Sequence, residues 1–127
     1  MVPARRDAMK YLLMLYADEK AGSAIEPEQM AGFMGQMAAY QQTLEKAGAF
    51  VDTAALQMTD AARTISAPDG QLHVHDGPYA DTREQFGGYF IIEAPDMDEA
   101  TRLAALCPAA SWGKIEIRPY HPGYGPG

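Results

Sequence analysis

Ionisable and aromatic side chains crowd into one stretch of this 127-residue chain: His73-Val74-His75-Asp76-Gly77-Pro78-Tyr79-Ala80-Asp81-Thr82-Arg83-Glu84-Gln85-Phe86-Gly87-Gly88-Tyr89. A carboxyl serves as a general acid or base when desolvation lifts its pKa toward neutrality. Asp76 and Glu84 are the candidates for that role, with Asp81 between them. Arg83 or His75 could hold an anionic substrate or move the complementary proton. Tyr11, Tyr79 and Tyr89, together with Tyr16 and Phe86, could wall a pocket for a ring-shaped ligand or pack an interface. The candidate site is therefore Asp76 and Glu84 as catalytic groups, with Tyr11, His75, Tyr79, Arg83 and Tyr89 as substrate-binding groups.

Each residue type also has a structural use. An Asp before Gly-Pro can accept backbone N–H bonds and fix a turn, and Arg83 and Glu84 can form a surface pair. His73 and His75 stand two apart on a predicted strand, so their rings share a face and could reach one metal ion with Asp76 or Glu84. A solvent-facing histidine pair is the reading preferred here, and neither a metal site nor a cofactor is expected. Cys107 is the only cysteine, which excludes an intrachain disulfide and a thiolate zinc site. Its place on the inward stripe near the C-terminal end of a predicted helix points to packing rather than nucleophilic chemistry.

The elements that must hold this stretch are legible in the hydrophobic pattern. Tyr11 to Tyr16 is a continuous apolar run of strand length. From Pro27 to Ala47, Met30, Phe33, Met34, Met37, Tyr40, Leu44 and Ala47 recur at three- and four-residue steps. That stripe predicts a helix with the methionines packed in the core, opened by Pro27 and ended by Gly48. Phe50 to Met58 returns in extended form. Ala61–Ala67 and Leu72–His75 predict a hairpin around Asp69-Gly70. Gly88 to Glu93 is another buried strand. Asp96 three residues before Glu99 marks a capped helix carrying Met97, Ala100, Leu103, Ala104 and Cys107 inward, and Ile115 to Arg118 alternates as a final strand.

Two strand–helix–strand halves with a hairpin between them predict an α+β fold. The expected form is a ferredoxin-like sandwich, an antiparallel sheet with two helices on one face. Its other face is left open in a monomer, so an isologous homodimer is expected. The domain is expected over residues 10–119, with a flexible leader over 1–9, in which Met9 could be the natural start, and a flexible Gly/Pro-rich tail over 120–127.

Ten basic against 17 acidic residues give a net charge of -7, which disfavours direct nucleic-acid binding. No apolar run approaches the roughly 20 residues of a membrane span, and the run after Arg5-Arg6 is too short for a signal-peptide core. The expected location is the cytoplasm, with no membrane contact.

Lys10-Tyr11-Leu12-Leu13-Met14-Leu15-Tyr16, Asp76-Gly77-Pro78-Tyr79-Ala80-Asp81-Thr82-Arg83-Glu84, Gly87-Gly88-Tyr89 and Glu116-Ile117-Arg118-Pro119 together resemble the DGPF-motif group of the YCII-related family, within the dimeric α+β barrel superfamily. The resemblance implies a ferredoxin-like dimer with facing sheets and a cleft near the Asp-Gly-Pro loop. For function it implies a small-molecule ligand, with acid–base chemistry on a ring-cleavage-type compound. The alternatives are an accessory protein acting with an extracytoplasmic-function sigma factor and a non-catalytic dimeric domain. The wider family is associated with a His-Asp pair whose His lies near the start of the first helix. The only histidines here are His73, His75 and His121, so that pair does not carry over, and Tyr79 stands where the motif has Phe.

Overall fold

Strand β1 (Met9–Ala17) lies inside the sheet, with Tyr11 and Leu13 buried on one face and Leu12 and Met14 half-buried on the other. The structure is a computed structural model that describes residues 8–124. The expected leader lies outside the described residues as far as Asp7, and Met9 already belongs to β1. After β1 come α1 (Glu19–Ser23), α2 (Pro27–Lys46), β2 (Phe50–Ala55), β3 (Arg63–Ser66), β4 (His73–Asp76), β5 (Gln85–Ala94), α3 (Met97–Ala105) and β6 (Lys114–Pro119). Residues 125–127 of the expected tail lie outside the described range. Tyr120 N–H still bonds the Lys10 carbonyl at 2.9 Å.

The main sheet has the order β2-β5-β1-β6 with every neighbouring pair antiparallel, which is the ferredoxin-like arrangement with a β3–β4 hairpin inserted between its halves. Register decides which side chains meet the helices. Tyr11 lies opposite Ile92, and Leu13 lies opposite Phe90 and Ile117. Those rows form the core with Tyr40 and Leu44 of α2 and with Ala100, Leu103 and Ala104 of α3. The Tyr40 hydroxyl donates to the Leu103 carbonyl at 2.8 Å, and its ring meets Phe90 edge-on at 5.1 Å, so one side chain ties both helices to the sheet. Burial pushes that phenol well above its ordinary pKa, and the neighbouring Cys107 adds to the effect.

Local signals place the helix ends. Asp96 Oδ1 accepts the Glu99 N–H at 2.8 Å as the N-cap of α3, and Gly48 takes φ +70° just beyond α2. The short α1 carries no apolar stripe in the sequence. Asp18 opens it, accepting from the backbone N–H groups of Lys20 at 2.9 Å and Ala21 at 3.3 Å. Met97, expected inward, sits in the first turn of α3 and is 39% exposed, whereas Ala100, Leu103, Ala104 and Cys107 are buried.

The methionine stripe of α2 departs most from expectation. Only Tyr40 and Leu44, in the C-terminal half, are buried, while Met30 and Met34 stand exposed. Beneath the N-terminal half the sheet floor includes Ala17, Ala55 and Gly88, which are too small to fill the space below the helix. Gly88 is required there, because a Cβ would stand 3.0 Å from the Ala54 carbonyl oxygen.

Candidate functional site

The gap between the N-terminal half of α2 and this small-residue floor is a cleft of about 780 Å³. That volume falls within the range of small-molecule pockets. Leu15 and Phe90 rise from the sheet, Phe33 and Met37 descend from α2, and Ala109 and Trp112 close the side after α3. Phe33 and Trp112 form a tilted ring pair with centroids 4.7 Å apart. Met30, Met34 and Met58 complete the soft apolar wall. Unbranched thioether side chains adapt to irregular apolar shapes.

One end of the cleft is polar, and its groups are held by a bond network. Glu19 accepts from both the backbone N–H and the hydroxyl of Thr59, each at 2.7 Å. The Glu19 N–H donates to Gln85 Oε1 at 2.9 Å, and Gln85 Nε2 in turn donates to the Thr82 carbonyl. Gln85 thus fastens the end of the ionisable loop to the start of α1. The bulge between Leu15 and Tyr16 in the β1–β5 pairing falls at this same end, and the Tyr16 and Phe86 rings lie 5.8 Å apart there. Gln41 and Tyr16 also line this space, and neither side chain has a hydrogen bond among the described residues.

Of the seven residues picked out from the sequence, Tyr89 alone lines this cleft. Strand alternation sends its ring to the opposite sheet face, where the hydroxyl donates to Asp52 Oδ2 at 3.2 Å. That carboxylate holds the phenol above its usual range. Tyr11 is buried in the core, 2% exposed, with its hydroxyl 4.0 Å from Met9 Sδ. Asp76 and His75 lie on the exposed hairpin. Asp76 Oδ1 accepts from Arg63 Nε at 2.9 Å, directly across the β3–β4 register. Gly77 follows at φ +128°, its N–H bonding the Ala62 carbonyl at 2.8 Å and its own carbonyl accepting from the Thr64 hydroxyl at 2.9 Å. Tyr79 is 91% exposed and Arg83 is exposed. Glu84, just before β5, accepts from Lys114 Nζ at 2.6 Å. Asp76 and Glu84 therefore sit in separate ion pairs, on the hairpin and at the start of β6.

His73 faces Asp69 at 3.4 Å across the hairpin turn, where the Gln71 N–H holds the Asp69 carboxyl below its ordinary pKa. Among the described residues, no cluster of three or more His, Cys, Asp or Glu side chains is arranged to hold a metal ion. Cys107 is buried in the core, and burial raises its thiol pKa.

Sequence reasoning passed over Phe33, Met37, Trp112 and Asp18 as site residues. A signal was available for the cleft: Ala54-Ala55 and Gly87-Gly88 place small residues on adjacent strands beneath a helix whose outer half is rich in methionine.

The family model of the YCII-related domain matches residues 9–122, nearly the whole chain. The chain belongs to the YCII-related family. It is also 36% identical over 120 residues to an uncharacterized protein of Rhizobium meliloti (strain 1021), covering 91% of this chain and 97% of that protein. The YCII-related match spans both strand–helix–strand halves and the inserted hairpin, so the cleft and the ionisable loop both lie inside the family domain. Among the described residues, no helix is long and apolar enough to cross a membrane.

Proposed function

We propose that this YCII-related chain is a homodimeric small-molecule-binding protein whose ligand occupies the cleft beneath α2. The cleft itself carries this reading: about 780 Å³ walled by Leu15, Phe33, Met37, Phe90 and Trp112, with a polar end beside Asp18, Glu19 and Gln85. An apolar hollow with a few polar groups at one end is the usual build of a ligand site. The polar groups there are engaged in fixing α1 and the loop, which favours binding over acid–base turnover. Asp76 and Glu84, in their outlying ion pairs, are proposed as supports of the hairpin and of the start of β5.

Trp112 is the only tryptophan, so it reports on the cleft without labelling. The neutral apolar dye N-phenyl-naphthylamine should gain fluorescence by energy transfer from Trp112 and saturate at one dye per chain. Ala38→Phe, which places a ring in the cleft lining, should weaken dye binding by more than about tenfold, a loss of about 1.4 kcal/mol. A dye that binds both proteins equally would remove the cleft as the site.

The homodimer rests on the opposite sheet face. Leu12, Met14, Tyr89 and Ile91 stand there half-buried in a single copy, and Leu12 lies opposite Ile91 and Met14 opposite Tyr89. Lys10 opposite Glu93, and Arg118 beside Glu116 at 3.3 Å, put both charge signs on that face, as self-pairing requires. Light scattering should give twice the chain mass, and Ile91→Lys should give the monomer. A monomeric wild-type chain at micromolar concentration would end this part of the proposal.

A further inference from the structure

We infer that the cleft selects its ligand by charge, accepting apolar cations such as aryl-alkyl ammonium compounds and turning away carboxylates and phosphates. This rests on the cleft being the ligand site and adds the class of ligand.

The lining carries the inference. Among the described residues its charged members are Asp18 and Glu19, and none is lysine, arginine or histidine. Asp18 spends Oδ1 on the backbone of α1, and Oδ2 has no hydrogen-bond partner among the described residues. Glu19 is fixed at the cleft end by its two bonds to Thr59. The nearby cations are directed elsewhere: Lys114 is bound to Glu84 at 2.6 Å, and Lys20 is exposed and outside the lining. The two basic residues expected to hold an anion, His75 and Arg83, are also outside it. An anion entering the cleft would lose its hydration beside two carboxylates with no counter-charge among the described lining residues, whereas a cation is attracted by both, with Asp18 Oδ2 open to pair with it.

The walls agree with that sign. Aromatic faces carry negative quadrupole charge and attract cations. Phe33 and Trp112 supply two such rings, paired at 4.7 Å. The amide oxygen of Gln41, which has no hydrogen bond among the described residues, can accept from an ammonium group. The net charge of -7 adds a long-range field of the same sign.

The test compares three probes sharing one ring: naphthylmethylammonium, neutral naphthylmethanol and naphthoate. Each is titrated against the full chain loaded with N-phenyl-naphthylamine, and dye displacement is read. The ammonium compound should displace the dye at a concentration at least about tenfold lower than naphthoate needs, because each carboxylate acts oppositely on the two probes. Added salt should narrow that ratio. Asp18→Asn, which keeps an N-capping side chain, should narrow it by about threefold. If the dye binds and naphthoate displaces it as well as the ammonium compound does, charge selection is overturned while the cleft remains the ligand site. If the dye does not bind in the first place, the ligand site itself is refuted, and the inference with it.

Discussion

Replacing Tyr40 by Phe removes one oxygen atom from the centre of the fold and leaves the ring that meets Phe90 edge-on at 5.1 Å. The lost bond, 2.8 Å from hydroxyl to Leu103 carbonyl, is buried. Its carbonyl partner still accepts the Leu106 N–H at 3.2 Å, so no acceptor is orphaned. A cost of about 1 kcal/mol follows, near the middle of the range for a net hydrogen bond. The pH dependence makes the test sharper. Burial raises the folded-state pKa of Tyr40 above its unfolded value near 10. Its neutral form is therefore favoured by folding. The stabilisation is complete below about pH 10 and is lost as pH rises through the folded-state pKa, by up to about 1.4 kcal/mol per pH unit. Phe at this position has nothing to ionise. Urea unfolding of the two proteins should differ by about 1 kcal/mol between pH 7 and pH 9, and the difference should vanish about one pH unit above the unfolded tyrosine value. The remaining tyrosines are common to both chains and cancel in the comparison, and making it in a Cys107→Ala background removes the thiol coupled to Tyr40. A gap that stays constant through this alkaline range would show that Tyr40 is not the desolvated tie between the helices.

The glycines should respond with opposite signs. A Cβ on Gly113 would stand 1.9 Å from the Tyr16 carbonyl oxygen, so Gly113→Ala must push β6 away from β1 and should cost about 3 kcal/mol or more in urea unfolding. Gly35 lies within α2 with nothing within 4 Å of a built Cβ, so Gly35→Ala should stabilise the chain by about 0.8 kcal/mol. Asp96→Ala removes the α3 cap at 2.8 Å and should cost about 1 kcal/mol, a fall of about 4 °C in the melting temperature. An unchanged melting curve for Asp96→Ala would mean that the cap does not hold the helix end.

The frame was legible because its signals are local. Apolar runs, the Pro27 and Gly48 ends of α2, the Asp96 cap and the Asp69-Gly70 turn each act within a few residues, and each has its element in the structure. The helix α1 is only five residues long and carries no apolar stripe, so its single signal was the capping Asp18. The cleft was hidden for another reason. Periodicity tells which face of α2 turns inward but not whether the sheet beneath fills the space, and that depends on small residues such as Ala55 and Gly88 meeting across β2 and β5. The dense charge of residues 73–84 drew attention to a hairpin and loop where Asp76 pairs with Arg63 and Glu84 with Lys114. Clustering in sequence does not converge on a hollow when the segment runs along an exposed arm.

Four of the eight methionines, Met30, Met34, Met37 and Met58, line the cleft, whereas Met14 lies on the opposite sheet face and Met97 in the first turn of α3. With methyl-labelled methionine, titration of naphthylmethanol should shift the resonances of the four cleft methionines together and leave those of Met14 and Met97 in place. Shifts at Met14 with the other four unmoved would put the ligand on the open sheet face and contradict the cleft as the functional site.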